Sequence, residues 1–105
     1  MAFKFENLQV WQKALDLTDD ISVLTKSFPK DELFILTSQI KRAADSVVLN
    51  IAEGCTGQSN AVFINFLNYS LRSAIEVVAC LFIAKRRNIV SEIDFQRLYN
   101  EYQAL

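Results

Sequence analysis

Residues 59–87 read SNAVFINFLNYSLRSAIEVVACLFIAKRR, and this stretch decides the fold of the chain. Its apolar residues return at three- and four-residue steps, which is the spacing of one buried face of an α-helix. The core seam predicted from this spacing consists of Phe63, Leu67, Ser70, Ala74, Val77 and Leu81. Ser59 is suited to cap the first turn, because its hydroxyl can accept a free backbone N–H there. The stretch therefore predicts a helix that begins after Ser59 and continues to about Arg87.

The same helix carries more apolar surface than one seam requires. With Phe63 as zero and about 100° per residue, the core seam stays within about 40° of zero, whereas a second set lies between about 60° and 120°. We name this set the outer stripe: Ile64, Leu71, Ile75, Val78 and Phe82. Either the helix lies at the centre of a bundle and meets its own neighbours on both faces, or the outer stripe packs against another copy. A four-helix bundle leaves one side of each helix open, so the second interpretation is favoured and a homo-oligomer is predicted.

Two helices are predicted before this stretch. The first covers about residues 8–27 and ends at Pro29, because the residue before a proline is pushed out of the α region. Its predicted buried face consists of Trp11, Ala14, Leu15, Thr18, Ile21, Leu24 and Phe28, with Trp11 as a core anchor. The second covers about residues 37–53 and ends at Gly54, a typical C-terminal stop. Its predicted seam consists of Leu36, Ile40, Ala44, Val47 and Ile51.

A fourth helix is predicted after Ser91, which is a suitable N-cap and is followed three residues later by Asp94. Its apolar seam consists of Phe95, Leu98, Tyr102 and Leu105, so the pattern is still helical at the last residue. The whole chain has only two glycines and one proline, which favours long helices over a turn-rich sheet protein. Alternating helices with short connections predict an all-α fold, an antiparallel up-down-up-down four-helix bundle, as one domain over residues 1–105.

Residue usage excludes several classes of protein. The chain has no histidine, and Cys55 and Cys80 are far apart, which excludes a Cys/His zinc site and a histidine-based triad. A net charge of −1 is not the strongly basic balance of a dedicated nucleic-acid binder. The sequence starts with no secretory pattern, so two reduced thiols and a cytoplasmic location are predicted. No uncharged apolar run reaches about 18 residues, so no membrane association is predicted, and no cofactor or small-molecule substrate is expected.

The second helix contains the one concentrated polar pattern. At about 100° per residue, five side chains fall along one longitudinal face, and we name them the polar stripe: Gln39, Arg42, Ser46, Asn50 and Glu53. A single glutamate without a second carboxylate, histidine or metal partner has no evident reaction to drive, so the chain is predicted not to be an enzyme. The stripe is interpreted as bracing between helices or at a subunit boundary. Contact of Arg42 with a phosphate group is the alternative.

A basic run, Lys85-Arg86-Arg87, ends the third helix. Three cations in the last turn complement the negative pole of the helix dipole, which is the favoured interpretation. The alternative is that these side chains contact the phosphates of an RNA. No glycine-rich phosphate loop accompanies them, because Gly54 and Gly57 lack the flanking pattern and the lysine.

Several segments resemble a known family when they are taken together. They are residues 5–14 (FENLQVWQKA), 28–29 (FP), 36–44 (LTSQIKRAA) and 50–54 (NIAEG), followed by Ser59, Phe63, Phe66, Leu67, Ser73 and Glu76. The pattern is similar to that of the four-helix-bundle proteins encoded in 23S rRNA intervening sequences. The resemblance covers nearly the whole chain, and a more distant one exists to the bundle-forming accessory protein of diversity-generating retroelements.

The resemblance implies an antiparallel four-helix bundle that assembles into a ring, typically a pentamer, with a suspected role at RNA or a ribonucleoprotein. The sequence differs from the family pattern at Gly57, where a basic residue is frequent, and at Val62, where an acidic residue is usual. The segment Ser70-Leu71-Arg72-Ser73 replaces an Ala-x-Gly-Ser pattern, and the fourth helix is shorter. Losing the loop cation removes one candidate contact to nucleic acid.

The function predicted from the sequence is that of a non-enzymatic oligomeric scaffold or adaptor, with RNA or a ribonucleoprotein as candidate partner. The alternative is a purely protein–protein interaction module without nucleic-acid binding.

Overall fold

The computed structural model describes residues 3–57 and 59–105, and within these ranges it contains four α-helices and no β-strand. Helix α1 covers Gln9–Thr25, α2 covers Ser38–Gly54, α3 covers Asn60–Arg86 and α4 covers Glu92–Gln103. A 3₁₀ turn, Lys4–Asn7, precedes α1, and a 3₁₀ turn, Lys30–Glu32, followed by a π-helical turn, Leu33–Thr37, joins α1 to α2. The prediction of an all-α chain with four helices is confirmed.

The helix ends lie close to the predicted positions. The Ser59 hydroxyl accepts from the Val62 amide at 3.1 Å, and the Ser91 hydroxyl accepts from the Asp94 amide at 3.1 Å, so both predicted N-caps are confirmed. At the other end of α3, Asn88 has a φ of 59°, a left-handed conformation that asparagine tolerates better than most residues. Helix α4 ends at Gln103, whereas the apolar pattern predicted helix to Leu105.

The core draws side chains from all four helices. Its largest fully buried members are Ile21, Val77, Ile40, Leu81 and Leu98. The predicted seams of α2 and α4 are buried, apart from a partly buried Leu105. The seam of α3 is buried from Ser70 onward, whereas Phe63 and Leu67 are only partly buried. The N-terminal half of α3 is therefore the less covered half.

The predicted face of α1 was wrong in two places. Leu15 is 42% exposed, and Leu17 at 2% exposure lies in the core instead. The buried face is centred near Ile21; at about 100° per residue Leu17 lies about 40° from it and Leu15 about 120°. Trp11 is a partly buried residue packed on the edge of the core rather than a central anchor.

Helices α2 and α3 approach closely, and Gly54 allows this. A Cβ atom added at Gly54 would lie 2.9 Å from the Cβ of Phe66 and 3.2 Å from a ring carbon of Phe63. Gly54 was predicted to act as a stop signal, and it is indeed the last residue of α2. Its conformation is not left-handed, however. The glycine with a positive φ is Gly57, in the loop that follows α2. The close contact with α3 is the property that requires a glycine at position 54.

Contacts between the helices follow a regular order. In the order of α2, the pairs are Gln39 with Glu76, Ser46 with Ser73, and Gly54 with Phe66. Between α1 and α4, they are Lys13 with Glu101 and Asp20 with Arg97. Between α3 and α4, they are Phe82 with Phe95 or Tyr99, and Lys85 with Glu92. In each pair of helices the residue numbers rise on one helix as they fall on the other.

Candidate interaction surfaces

The outer stripe lies largely outside the core. Ile64, Leu71, Ile75 and Phe82 are each between 51% and 60% exposed, and Val78 is partly buried against the core. The neighbouring helices of the same chain therefore leave most of this stripe uncovered.

A groove of about 640 Å³ runs along the outer stripe. Its walls are Leu71, Ile75 and Phe82 of α3 and Tyr99 and Tyr102 of α4, with side chains of α2 at the floor. We name it the apolar groove. The groove exists because α4, at 12 residues, is about 18 Å long, whereas α3, at 27 residues, is about 40 Å long. Helix α4 thus covers less than half of α3.

The polar side chains that line the groove are few: Ser70, Tyr99, Tyr102 and Gln103. Among the described residues that line it, none has a charged side chain. The Ser70 hydroxyl is already engaged, because it donates to the Val47 carbonyl at 2.8 Å. Phe82, which lines the groove, meets the Phe95 ring edge to face at 4.9 Å. An occupant of this groove would have to be apolar.

Helix α3 is long and apolar enough, by length and composition alone, to cross a membrane. Its most apolar window of 18 residues has a mean hydropathy of 1.4, and 28% of that window is buried inside the structure. The core helix of a soluble protein passes the same test, but such a helix is mostly buried. Most of this apolar window therefore lies outside the protein interior.

The polar stripe divides into two groups. Gln39, Ser46 and Asn50 take part in hydrogen bonds at the boundary of α2 and α3. The Ser46 hydroxyl accepts from Asn50 Nδ2 at 2.9 Å and from the Ser73 hydroxyl at 2.8 Å, and Gln39 Nε2 donates to Glu76 Oε2 at 2.9 Å. Gln39 and Ser46 thus link α2 to α3, whereas Asn50 bonds within α2 and supports Ser46.

Arg42 and Glu53 belong to the other group. Both are exposed, and within residues 3–57 and 59–105 neither makes an ion pair or a side-chain hydrogen bond. Eleven residues separate them, or about 16 Å along the helix, so they cannot pair with each other. Arg42 borders an open polar pocket of about 480 Å³ that includes Glu76 and the side chains of Phe34 and Ile35.

The structure places most of the basic run in contacts within the chain. Arg87 binds both carboxylate oxygens of Glu32 at 2.9 and 3.2 Å. Lys85 lies 3.1 Å from a carboxylate oxygen of Glu92 and also 4.4 Å from the centre of the Phe95 ring. Only Arg86 has no such partner among the described residues. Phosphate contact by the full run would require these pairs to open.

Sequence reasoning missed one exposed surface, which we name the apolar turn: Leu33, Phe34 and Ile35. These residues begin the π-helical turn before α2, and Phe34 is 89% exposed. Leu36 and Thr37 at the end of the same turn are buried. Five consecutive residues of a helical turn point in several directions, so a run of apolar residues this long cannot all face the core. This long apolar run was the sequence feature from which the exposed surface could have been predicted.

Three buried polar groups have no hydrogen-bond partner among the described residues: Trp11 Nε1, Thr37 Oγ1 and Tyr102 Oη. Burial, with the charges of Asp20 and Asp45 as smaller causes, raises the pKa of Tyr102. Burial, with the charge of Glu76 second, also raises the pKa of the Cys80 thiol. Cys55 and Cys80 are both free thiols, as predicted, and the described residues contain no cluster of possible metal ligands.

Comparison with known proteins identifies the family. A family model described as 23S rRNA-intervening sequence protein matches residues 6–105. The chain belongs to this family. A crystal structure of a protein with unknown function, from the S23 ribosomal protein family of Bacteroides thetaiotaomicron, superposes with a TM-score of 0.83 at 29% sequence identity. The superposition covers 90% of this chain and 86% of the other. A search of curated proteins found no match.

Family membership confirms the resemblance seen in the sequence, and the structure shows what those segments do here. Trp11 meets the Phe5 ring edge to face at 4.7 Å, which ties the N-terminal turn to α1. Asn50 bonds back to Ser46, and Gly54 admits Phe66. In this member of the 23S rRNA-intervening sequence protein family, these segments make structural contacts, and the one at Gly54 joins α2 to α3.

Proposed function

We propose that this family member is a non-enzymatic scaffold that works as a homo-oligomer and uses the outer stripe as its contact surface. One observation carries the proposal: four large apolar side chains of α3 remain more than half exposed beside an open, uncharged groove. Contiguous apolar patches of this kind on soluble proteins mark interaction sites. The resemblance adds a ring, typically a pentamer, as the expected form.

The energy available from the outer stripe decides how much surface the contact needs. Full burial of one large apolar side chain contributes about 1.5–3 kcal/mol, so covering the exposed halves of four contributes about 3–6 kcal/mol. Association costs about 4–15 kcal/mol in lost freedom. The stripe therefore supports assembly only together with the groove beside it and a matching surface on the partner.

Insertion of α3 into a membrane is less favourable than contact with protein. Arg72 and Glu76 lie near the middle of the helix, and an arginine at the centre of a membrane helix costs about 2.5–3.5 kcal/mol on insertion scales. The adjoining core seam of α3 supplies Val77 and Leu81 to the core, which would have to open for α3 to enter a membrane. We therefore place the protein in the cytoplasm and away from membranes.

We infer an up-down-up-down antiparallel arrangement of the bundle from the order in which residues of neighbouring helices pair. In helix pairs α2–α3, α3–α4 and α1–α4, residue numbers rise on one helix while they fall on the other, which is the pattern of antiparallel neighbours. If α1 opposes α4, α4 opposes α3 and α3 opposes α2, then α1 also opposes α2.

RNA or a ribonucleoprotein is the candidate partner of the scaffold, because the family name links its members to intervening sequences of 23S rRNA. The second candidate function is a purely protein–protein module, and the engagement of Lys85 and Arg87 in ion pairs favours it. Retention of a labelled 23S rRNA fragment at physiological salt, falling linearly with the logarithm of salt concentration, would support the first candidate. If the protein retains no rRNA fragment, the result supports the protein–protein module.

The proposal is tested by measuring the mass of the protein in solution. Static light scattering at micromolar concentration should give a mass several times the 12.0 kDa of one chain. Ile75→Glu should lower that mass, since it places a charge in the contact. Ile93→Glu is the matched control, because Ile93 is 81% exposed on α4 and lies outside the groove. A single-chain mass for the unmodified protein would refute the proposed function.

A further inference from the structure

We propose that the apolar groove of one copy accepts the apolar turn of a second copy, so that copies associate head to tail. This inference rests on the proposed function, because it names what covers the outer stripe. It adds a specific second surface, which the contact on α3 alone does not imply.

The groove restricts its occupant to apolar chemistry. Its described lining has no charged side chain. Of its two buried hydroxyls, that of Ser70 is already bonded within the chain, and that of Tyr102 is enclosed without a partner among the described residues. A polar or charged segment placed there would lose its hydrogen bonds to water without replacement. The occupant must also be convex, since the groove is a depression between α3 and the shorter α4.

The apolar turn has the complementary shape and chemistry. Phe34 is 89% exposed, and its neighbours Leu33 and Ile35 are 50% and 62% exposed. Together they form an apolar projection at the start of α2, and Ile35 and Phe34 border the pocket around Arg42 without closing it. A side chain that is exposed on most of its surface is buried more completely in a recess than against a flat partner surface. The apolar groove offers such a recess.

The turn and the groove lie on opposite sides of the α2–α3 pair. On α3, the groove is lined by residues between about −20° and 160° from Phe63, with Leu71 and Ile75 near the middle. The pocket beside the turn uses Ser73 and Glu76, which lie at about −80° and −140°. A copy therefore cannot place its own turn in its own groove.

This placement decides between two modes of association. A two-fold dimer that pairs groove with groove would cover the outer stripe and leave Phe34 in water in both copies. A head-to-tail contact covers both surfaces in each successive copy, which is how heterologous interfaces build rings. Taking about 150–200 Å² per large side chain, the three turn residues and the four exposed stripe residues would bury on the order of 700 Å² per contact. That is about half of the total area in a standard interface, before the surrounding residues are included.

The test uses two variants that each retain one of the two surfaces. Phe34→Asp damages the turn and keeps the groove, and Ile75→Asp damages the groove and keeps the turn. Each variant alone should give the mass of one chain in light scattering. Mixed in equal amounts at about 100 µM each, they should give twice that mass, since one intact turn can enter one intact groove. Assembly should stop there, because the remaining turn and groove of the pair are both damaged.

Circular dichroism of each variant establishes that it is folded, and Ile35→Asp and Leu71→Asp serve as a second pair if either fails to fold. Ile93→Asp is the control for an added surface charge and should retain the unmodified mass. The head-to-tail contact is refuted if Phe34→Asp retains the full assembly, or if the mixed variants remain single chains. Either of those results leaves the proposed homo-oligomer in place. A single-chain mass for the unmodified protein removes both proposals.

Discussion

At the level of single residues, α2 and α3 approach so closely at Gly54 that there is no room for a methyl group. We expect Gly54→Ala to lower the free energy of unfolding by up to about 2 kcal/mol. Overpacking costs about 1–3 kcal/mol, which outweighs the roughly 1 kcal/mol that alanine gains over glycine in a helix. Urea unfolding measures the change, with Asp45→Ala on the exposed face of α2 as control. A gain in stability at Gly54→Ala would show that α2 and α3 can separate without cost.

Tyr102 predicts a dependence of stability on pH. Its hydroxyl keeps its proton in the folded chain at pH values where an unfolded tyrosine, with a pKa of 10.0, loses it. The unfolded state therefore binds fewer protons above pH 10, and stability present below that pH is lost as the pH rises. The contribution should amount to about 1.4 kcal/mol per pH unit once the unfolded group has titrated.

Tyr102→Phe removes this contribution and also removes a buried hydroxyl that has no partner among the described residues. At neutral pH we expect the variant to be as stable as the original protein within about 1 kcal/mol. Urea titrations between pH 7 and pH 11 compare the two. If both proteins lose stability in parallel above pH 10, Tyr102 ionises as freely in the fold as in the unfolded chain.

At the level of elements, polar side chains at the boundary of α2 and α3 form hydrogen bonds between the helices, whereas those on the exposed side of α2 should contribute little to stability. Ser70→Ala removes the bond from its buried hydroxyl to the Val47 carbonyl, and we expect a loss of about 1 kcal/mol in the free energy of unfolding. Arg42→Ala, on the exposed side of α2, should change it by less than about 0.5 kcal/mol. Thermal and urea unfolding of both variants provide the measurement. Equal losses would mean that Arg42 has a structural partner in solution.

The elements themselves were largely predictable from sequence because their signals are local. Periodicity located the four helices, and the hydroxyls of Ser59 and Ser91 located two starts. The face of α1 was less predictable, because choosing Leu15 over Leu17 requires the direction from which the other helices approach. The same limit applies to the basic run, since Arg87 binds Glu32 across 55 positions of sequence.

The candidate surfaces were likewise predictable from sequence only in part. The outer stripe was visible in the sequence as a second period on one helix, but the groove beside it depends on how far α4 reaches along α3. The apolar turn was not identified, because Leu33–Thr37 is a π-helical turn and standard helical spacing misplaces its side chains. Sequence patterns identify one face of an element, whereas a recess between elements needs the folded chain.

At the level of the whole molecule, assembly and folding should be linked. If copies cover one another's apolar surfaces, the melting temperature should rise with protein concentration, because association stabilises only the folded chain. In Ile75→Glu, the melting temperature should be independent of concentration over the same range. Differential scanning fluorimetry over a hundred-fold dilution series measures both. An unmodified protein whose melting temperature does not change on dilution would behave as an isolated chain.

The different accessibility of the two thiols allows the rate at which the bundle opens to be measured by thiol labelling. Cys80 is 3% exposed in the interior of α3, and burial keeps its thiol protonated, so a thiol-specific reagent is blocked both by lack of access and by lack of thiolate. Cys55, in the loop after α2, is partly accessible and should react first. Once Cys55 is modified, the rate at which Cys80 is labelled reports how often the interior around α3 opens. Mass spectrometry of the unmodified sequence could follow those openings without any introduced probe.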